Sequence, residues 1–401
     1  MDNLIEYMDT AIPNPSLVVS NNNRSTWLEP RNRRFGFHNL PIISRYGISF
    51  RAAKILHLPR ARDTTQAARI AALPELQALI QNPTFSAMAV MRGKNLLYTK
   101  AADDFALDRL HSIQSINKCM INLLIAPYVE SGAIKLDTPI KEYLPQLGAG
   151  YDGATVQSVL NMAVDNDYSE DMTDDFASYY RQEEALGWRL PEDLDDASSE
   201  LRHRDFLGQV GRRPDQTSAP LTSVDYKSSN TESLAWLIEK ISGRSLRWHL
   251  AELVDAAGLE HSLFMGCDRD GVPAFCGGGA MSVMDLLRLG ALFLRRGVGV
   301  NRRKFGSPAW FERTLKGGIP WKLPDPDYRY SHHCETDGRV LAHGGFCGQY
   351  LYCDLTSNMV VAFLSVSLAK NGVNNEHFIE IWDMMEKVTR LFDSEGKNSG
   401  G

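Results

Sequence analysis

Strand-like segments lie near both ends of this chain, and a long run of helical patterns separates them. A β-hairpin is predicted at residues 85–100, where two β-rich runs flank a turn at 92–95. Three further strands are predicted near the other end, at residues 339–348, 349–356 and 358–367. Because strands need partners, the simplest architecture is one antiparallel sheet built from both chain ends and flanked by helices. The predicted fold class is therefore α+β.

Helical periodicity accounts for much of the remaining sequence. Apolar residues recur at helical spacing within residues 64–80, and a second helix with a largely apolar face is predicted at 111–132. Further helices are predicted at residues 231–243 and 280–297, and the last closes the chain at 377–392. The middle of the chain is thus expected to be mostly helical.

The order of these patterns predicts three parts. Residues 1–60, rich in Pro, Asn and Arg, are expected to form an extended arm over a globular body. Residues 61–126 and 275–401 are expected to form an α/β domain, and residues 127–274 a mostly helical domain. Within the helical part, the acidic loop at 168–222 has a length that is typical of a lid or a binding wall.

Composition argues against several classes of function. The net charge of −6 and the isoelectric point near 6.0 disfavour nucleic acid or an anionic membrane as the main partner. No apolar run approaches the ~20 residues of a membrane span, and the acidic start of the sequence has no secretory pattern. The six cysteines form no C-x-x-C pair, so reduced thiols and a cytoplasmic location are expected.

The first segment that can carry chemistry is an S-x-x-K, formed by Ser115 and Lys118 at the start of a predicted helix. Positions i and i+3 share a helical face, so Lys118 can lie beside the Ser115 hydroxyl. A serine hydroxyl is a poor nucleophile at neutral pH and needs such a neighbouring base. The Ser115 N–H can also point from the positive helix end at a developing oxyanion. Alone, however, the motif is weak evidence and is better explained as a solvated helix start.

Two later segments can complete a site of this kind. Tyr226 precedes a predicted helix, where its phenol can point into a cleft and a nearby lysine would lower its pKa. His343-Gly344-Gly345-Phe346 lies on a predicted strand; its glycines allow close backbone approach, and the following N–H can be a second oxyanion donor. Taken singly, these segments are better explained as a buried structural tyrosine and a bend in a strand.

The three segments follow one another at intervals of roughly a hundred residues, and that layout resembles the penicillin-recognising serine enzymes. These are the serine β-lactamases, the D,D-peptidases and the esterases built on the same fold. Within the superfamily the sequence is most similar to the 6-aminohexanoate-dimer hydrolase type, from residue 27 nearly to the C-terminus. The similar segments are WLEPRNRRFGFHNL, DYSED, YKSSNTESLAWLIEKISG and GQYLYCDL. The resemblance implies a β-lactamase-like α+β fold and serine hydrolase activity.

The resemblance also implies roles for individual residues. Ser115 would be the nucleophile, Lys118 and Tyr226 the acid/base pair, and the N–H groups of Ser115 and Phe346 the oxyanion hole. Substrate contacts are expected from Tyr168, Ser228, His343, Gly344 and Gly345. No metal or cofactor is implied, and the expected substrate is a small molecule with an ester or linear amide bond.

Two departures from the superfamily pattern narrow the expected substrates. Ser228 stands where the Y-x-N motif has Asn, and H-G-G replaces the K-T-G strand, so the cation that meets a β-lactam carboxylate is missing. An efficient β-lactamase is therefore not expected. Lys227, beside Tyr226, could face either the site or solvent.

Other chemistries fit the sequence less well. One group of possible metal ligands clusters in sequence, but its spacing matches no common zinc pattern: His332, His333, Cys334, His343 and Cys347. No helix start follows Cys347 to lower its thiol pKa, and the acidic loop lacks the EF-hand glycine pattern. Two alternative functions stay open: an acyltransferase using the same acyl-Ser115, and a non-catalytic binding protein on this fold.

Overall fold

The computed structural model describes residues 27–171, 174, 176–189, 200–215, 219–321, 327–369 and 374–393. Its α-helices are α1 (Pro30–His38), α2 (Leu40–Ile43), α3 (Thr65–Ala71), α4 (Pro74–Gln81), α5 (Cys119–Glu130), α6 (Ile140–Tyr143), α7 (Val156–Leu160), α8 (Ser178–Ala185), α9 (His203–Gln209), α10 (Ser228–Ser242), α11 (Leu246–Ala257), α12 (Val283–Leu294), α13 (Pro308–Lys316) and α14 (Asn375–Arg390). Short 3-10 helices span Gln114–Lys118 and Ala149–Tyr151. No helix in these ranges is long and apolar enough to cross a membrane.

The strands form two antiparallel sheets. They are β1 (Gly47–Phe50), β2 (Phe85–Arg92), β3 (Asn95–Ala101), β4 (His111–Ser112), β5 (Leu263–Gly266), β6 (Gly279–Met281), β7 (Ile319–Pro320), β8 (Arg329–Ser331), β9 (Cys334–Thr336), β10 (Val340–Gly345), β11 (Gln349–Asp354) and β12 (Met359–Ser365). The larger sheet has the order β3-β2-β12-β11-β10-β9-β8-β7, and the smaller sheet has the order β1-β5-β6-β4.

The larger sheet joins the two ends of the chain. Strand β12 pairs with β2 from Met359 opposite Arg92 to Ser365 opposite Phe85, so the N-terminal hairpin extends the C-terminal strands directly. The predicted α+β class, with one antiparallel sheet built from both chain ends, is confirmed.

Helices cover both faces of this sheet. Alternate residues of β12 point to opposite sides, and Val360 and Ala362 join the core beneath α12 whereas Val361 and Phe363 join the core beneath α14. A strand that is buried on both faces reads as a continuous apolar run, and β12 is apolar up to its last residue, Ser365. Helix α12 can approach closely because Gly290 faces the strand: a Cβ there would lie 2.5 Å from Val360.

Two predicted helices differ from the observed ones. The helix predicted at 64–80 is broken into α3 and α4 at Pro74, which has no N–H to donate and restricts the residue before it. The segment predicted as one helix at 111–132 begins as strand β4, continues as the 3-10 helix Gln114–Lys118 and becomes α-helical only at Cys119. The S-x-x-K therefore lies in a 3-10 turn that leads into α5.

The described part of the N-terminal arm, from residue 27 onwards, is more regular than the extended segment predicted, and residues 1–26 of that prediction lie outside the described residues. Residues 30–43 form the helices α1 and α2, and residues 47–50 form an edge strand of the smaller sheet. The smaller sheet was not predicted, because its strands are only two to four residues long and carry no clear alternation. It matters for the site because β4, paired with β6, leads directly into the 3-10 turn.

Candidate active site

A cavity of about 440 Å³ opens between the larger sheet, the start of α10 and the 3-10 helix Gln114–Lys118. Most of the predicted site residues line it: Ser115, Tyr226, Ser228, His343, Gly344, Gly345 and Phe346. Lys118 lies directly behind Ser115, within hydrogen-bond distance of its hydroxyl. Tyr168 does not line the cavity. The fold thus brings together segments that are about a hundred residues apart in sequence.

Ser115 lies in a tight, strained turn. Gln114 has a φ of +46°, in the left-handed region that non-glycine residues seldom occupy. The turn is held by two contacts, from the Ile113 N–H to the Gly279 carbonyl at 3.0 Å and from the Asn117 amide to the Gln114 carbonyl at 2.9 Å. Ser115 itself stays half-buried at the cavity surface. Backbone strain beside a reactive side chain is common in active sites, where it aims the group.

Lys118 is buried, with 1% of its surface exposed. Its amine donates to Ser115 Oγ at 2.9 Å and to the Cys276 carbonyl oxygen at 2.7 Å. Burial lowers the pKa of Lys118 from its usual 10.5, because the charged form loses its hydration, and three neighbours oppose that shift: Glu170, Cys276 and Glu232. The amine is therefore fixed beside the serine, and its neutral form is more accessible than that of an exposed lysine.

Tyr226 lies on the other side of the lysine, just before α10. The Lys118 amine is 4.7 Å from the centroid of its ring, and the ring packs edge-on against Trp321 at 5.2 Å between centroids. Its hydroxyl is buried and has no hydrogen-bond partner within ordinary distance and angle limits among the described residues. An unpaired buried hydroxyl that borders a cavity is available to a bound molecule.

The protonation of Tyr226 differs from the sequence-based prediction. Burial raises the pKa of the phenol well above its usual value, and the Glu170 carboxylate acts in the same direction, whereas the Ser115 hydroxyl opposes it. The predicted lowering by a nearby lysine is wrong, because the amine lies over the ring and desolvation dominates. Tyr226 is therefore a neutral phenol, suited to giving a proton.

The two predicted oxyanion donors lie on adjacent elements. Strand β10 runs beside the 3-10 turn, and a Cβ on Gly345 would lie 2.7 Å from the Ile113 carbonyl oxygen, so only glycine allows this approach. In the part of the chain that the structure describes, neither the Ser115 N–H nor the Phe346 N–H donates to another group. Both are free to donate to an oxygen in the cavity.

Helix α1 supports the far side of the turn that carries Phe346. The Arg33 guanidinium lies 6.0 Å from the centroid of the Phe346 ring, and the Phe37 ring packs against the same ring at 6.4 Å. Arg33 also donates to the carbonyl oxygens of Ser367 and Ala369, both at 2.7 Å. The N-terminal arm therefore stabilises one wall of the site.

His343 lines the cavity, but its ring is fully engaged by the protein. Its Nδ1 is 2.6 Å from the Gly344 carbonyl oxygen, so Nδ1–H donates there and Nε2 accepts from the Tyr330 hydroxyl at 3.1 Å. Burial and the Lys118 charge lower the pKa of His343 to about 3. A neutral histidine thus occupies the place of the K-T-G lysine, and it supplies no positive charge.

Gly344 and Ser228 were also predicted to contact the substrate, but the backbone N–H of each already donates to a carboxylate. The Gly344 N–H donates to Glu335 Oε1 at 3.0 Å, and the Ser228 N–H donates to Glu170 Oε1. Glu170 also lies at the N-terminus of α10, where the helix dipole favours an anion. Substrate contacts from Gly344 and Ser228 would involve the Gly344 carbonyl or the Ser228 hydroxyl.

Tyr168 and Lys227 both lie behind the cavity wall. Tyr168 is 1% exposed, and its hydroxyl donates to Gln182 on α8. Lys227 is buried, and its amine donates to the carbonyl oxygens of Asn166 and Tyr168 and pairs with Asp225 at 3.1 Å. The geometry gives Tyr168 a supporting place, not the substrate contact that was predicted for it.

Several lining residues carried no recognisable signal in the sequence. Among them are residues of the long acidic loop, which supplies one wall of the cavity: Glu170, Asp171, Tyr179 and Trp188. Trp321 and the Cys276-Gly277 turn complete the lining near Tyr226 and Lys118. The length and acidity of the loop indicated a wall, but no pattern indicated which of its side chains would reach the cavity.

The residues considered as metal ligands have protein partners instead. His332 contacts Thr314 at 3.1 Å, and His333 contacts Thr231 at 3.0 Å and the Leu160 carbonyl at 2.9 Å. Within the described ranges, no group of three or more His, Cys, Asp or Glu side chains is arranged to hold a metal ion.

The fold and this cavity define a hydrolase of the β-lactamase fold. The chain belongs to the Beta-lactamase family, whose pattern matches residues 76–384. The matched range includes the S-x-x-K turn, the tyrosine before α10 and the H-G-G strand. The predicted membership of the penicillin-recognising superfamily is confirmed.

Individual relatives agree with the family. The chain is 27% identical over 367 residues to 6-aminohexanoate-dimer hydrolase of Paenarthrobacter ureafaciens, which covers 88% of this chain and 90% of that protein. A solved structure from Bacillus anthracis, provisionally named a 6-aminohexanoate-dimer hydrolase, superposes with a TM-score of 0.76 at 20% identity over 94% of this chain and 98% of that one. EstCE1, described as a hydrolase with promiscuous acyltransferase activity, gives a TM-score of 0.58 at 17% identity over 80% and 98%. The two solved structures support the fold.

Proposed function

We propose that this chain is a serine hydrolase that cleaves an ester or linear amide bond through an acyl-Ser115 intermediate. One observation carries the proposal: the Lys118 amine lies 2.9 Å from Ser115 Oγ, in a buried site that lowers its pKa. A lysine in that state can take a proton at a pH where an exposed lysine could not. The neighbouring neutral phenol of Tyr226 supplies the complementary proton donor.

The acylation step follows from these positions. Neutral Lys118 takes the proton of Ser115 as Oγ bonds to the substrate carbonyl carbon, and the carbonyl oxygen becomes an oxyanion. The N–H groups of Ser115 and Phe346 donate to that oxygen. As the bond to the leaving oxygen or nitrogen breaks, the Tyr226 hydroxyl gives it a proton. The Lys118 ammonium then returns a proton to Tyr226, which leaves both groups neutral.

Deacylation repeats the sequence with water. A water molecule attacks the acyl carbon and gives a proton to Lys118, and the oxyanion forms again at the same two N–H groups. Collapse of this intermediate breaks the bond to Ser115 Oγ, which takes a proton from the acid/base pair. The products are a carboxylic acid and the free enzyme.

The charges around the cavity indicate the kind of substrate. Three carboxyl groups line it, from Glu170, Asp171 and Glu335, and the lining residues described include no Lys or Arg. Aromatic rings supply much of the remaining wall: Tyr179, Trp188, Tyr226, Trp321, Phe346, Tyr350 and Phe378. A substrate with a carboxylate near the scissile bond would be repelled, whereas a neutral, partly apolar ester or amide fits. Penicillins are therefore expected to be poor substrates.

The relatives support two versions of this chemistry. The name of the Paenarthrobacter protein, a hydrolase of 6-aminohexanoate dimer, favours a linear amide. The description of EstCE1 keeps acyl transfer as the second candidate, because an alcohol or amine can replace water at the same acyl-enzyme. Both versions need the same nucleophile, base and oxyanion donors.

A substrate panel tests the proposal. Rates would be compared for p-nitrophenyl butyrate, a short linear anilide and nitrocefin, and the ester would also be assayed with added alcohol to measure the ratio of transfer to hydrolysis. We expect ester or anilide hydrolysis well above that of nitrocefin. Nitrocefin turnover as fast as ester turnover would contradict the substrate argument. Absence of turnover on the whole panel would favour the non-catalytic binding protein.

A further inference from the structure

A buried carboxyl group lies behind the candidate base. Glu232, one turn into α10 beyond Ser228, is 2% exposed. Its Oε1 accepts a hydrogen bond from the Cys276 N–H at 2.6 Å, and the Cys276 carbonyl oxygen in turn accepts from the Lys118 amine at 2.7 Å. A buried carboxyl group is costly unless it has such partners. Cys276 therefore connects the acid of one helix with the lysine of the nucleophile turn.

The other oxygen of Glu232 faces a second set of buried polar groups. Its Oε2 is 3.9 Å from His203 Nδ1 on α9, and His203 Nε2 is 3.2 Å from the side-chain amide of Gln182. Gln182 accepts from the Tyr168 hydroxyl. Burial lowers the pKa of His203 to about 3, so this ring is neutral. Buried polar groups therefore line the path from the acidic loop to Glu232, although the 3.9 Å between His203 and Glu232 is too long for a hydrogen bond.

We propose that Glu232 is a positioning residue that holds the Lys118 amine against Ser115 through Cys276. The inference rests on the proposed function, since it assigns Glu232 a part in placing the base of that reaction. Glu232 does not itself line the cavity; it contacts the lining residue Cys276 from behind. It acts in two ways that can be separated, by anchoring the Cys276 backbone and by placing a negative charge near the amine.

The negative charge of Glu232 affects the protonation of the Lys118 amine. Glu232 and Glu170 raise the pKa of Lys118 against the larger opposing effect of burial. Burial raises the pKa of Glu232 to about 7, and Asp268 acts in the same direction, whereas the Cys276 backbone and the Lys118 charge oppose it. Above pH 7 the carboxyl group is mostly ionised and favours the protonated lysine. Removing this charge should therefore lower the pKa of Lys118.

The two histidines near Lys118, His333 and His343, cannot cause the expected change in the pKa of Lys118. The Lys118 charge contributes to lowering the pKa values of His333 and His343, and burial keeps both rings neutral, with pKa values of about 3. Neither ring changes charge in the pH range where the lysine would titrate. Two carboxyl groups raise the pKa of Lys118, those of Glu170 and Glu232. Glu170 accepts from the Ser228 N–H, whereas Glu232 accepts from the N–H of Cys276, the residue whose carbonyl oxygen holds the amine.

Glu232→Gln separates anchoring from charge. The Gln oxygen can still accept from the Cys276 N–H, but the negative charge is gone. We expect the acidic limb of the kcat/KM–pH profile for p-nitrophenyl butyrate to move to lower pH, while the plateau stays within about threefold of the wild type. An acidic limb that coincides with that of the wild type, or moves to higher pH, would overturn the inference.

Glu232→Asp makes the opposite change and keeps the test decisive if the Gln variant folds poorly. The charge remains, but the shorter side chain weakens the anchor on Cys276. We expect the plateau to fall by about tenfold or more, because small displacements of a catalytic group are costly, with an unshifted acidic limb. A plateau equal to that of the wild type would contradict the positioning role.

A matched control separates this effect from the general loss of a buried carboxylate. Asp354, at the end of β11, is fully buried, pairs with Arg339 and lies outside the cavity lining. Asp354→Asn should lower the thermal midpoint but leave the pH profile unchanged; a shifted profile would show that the readout is not specific to Glu232. Failure of this inference leaves Ser115 reactive in the wild type, whereas failure of the proposed function would leave Ser115→Ala active.

Discussion

The two sides of the cavity are built in different ways. On the nucleophile side, Ser115 and Lys118 come from a single turn between β4 and α5, and the lysine is fixed by two short hydrogen bonds. On the opposite side, Glu170, Tyr179 and Trp188 come from a long loop whose described residues include the short helices α8 and α9. In the proposed reaction, a local turn therefore carries the chemistry, and a distant loop shapes the space for the substrate. Changes on the first side should abolish turnover, whereas changes on the second should alter its magnitude or selectivity.

The largest effect is expected at the nucleophile. Ser115→Ala removes the oxygen that forms the acyl-enzyme, and kcat should fall on the order of 10⁶-fold, as when other serine nucleophiles are removed. The measurement is steady-state hydrolysis of p-nitrophenyl butyrate, with circular dichroism to show that the variant is folded. Ser115→Cys is a useful companion, because it retains a nucleophile in the same turn. Full activity in Ser115→Ala would contradict the assignment of Ser115 as the nucleophile.

The next largest effect is expected at Lys118. Lys118→Met keeps much of the side-chain volume but removes the base, so kcat/KM should fall by roughly 10²–10⁴-fold. In the wild type the rate should rise with pH as the lysine loses its proton, at a pH below the usual 10.5 because its pKa is lowered. The pKa of Tyr226 is raised, so the alkaline limb should lie above the usual range for tyrosine.

A pH–rate profile checks both limbs. The Lys118→Met variant should retain little pH dependence in the range of the wild-type acidic limb. An unchanged acidic limb in that variant would mean that another group is the base.

A much smaller effect is expected on the loop side, at Tyr168. Its buried hydroxyl donates to Gln182, so Tyr168→Phe should lower the free energy of unfolding by about 1 kcal/mol. Ester and amide turnover should change by the same small factor, since Tyr168 does not line the cavity. Tyr179→Phe is the matched comparison, because the Tyr179 ring does line the cavity. If Tyr168→Phe loses turnover only on amide substrates, Tyr168 contacts the substrate as the sequence predicted.

No effect is expected from removing metal ions. The proposed reaction uses a serine, a lysine and a tyrosine, and each step moves a proton between these groups and the substrate or water. Prolonged dialysis against EDTA should therefore leave the rate of ester hydrolysis unchanged. Activity that is lost on dialysis and restored by zinc would contradict the mechanism on both sides of the cavity.

Local chemistry was readable from the sequence where neighbours in sequence are also neighbours in space. The Ser115–Lys118 spacing indicated a contact that the fold contains at 2.9 Å. Five strands of the larger sheet, β2, β3, β10, β11 and β12, were recognisable because each is six to eight residues long. Strands β7, β8 and β9 of the same sheet are two or three residues long and were not predicted.

Features that depend on tertiary packing were not readable in this way. The smaller sheet consists of very short strands that exist only because they pair with one another. Glu232 is one charged residue in an amphipathic helix, and nothing nearby in sequence indicates that it is buried beside Cys276. The raised pKa of Tyr226 likewise results from desolvation by distant segments, which no spacing rule describes.

The most direct test of the central claim is covalent labelling of the nucleophile. The protein would be treated with a fluorophosphonate, weighed intact by mass spectrometry, digested and mapped. The account predicts a single adduct on the peptide that contains Ser115, and none in Ser115→Ala under the same conditions. An adduct on a different residue, or undiminished labelling of Ser115→Ala, would contradict it.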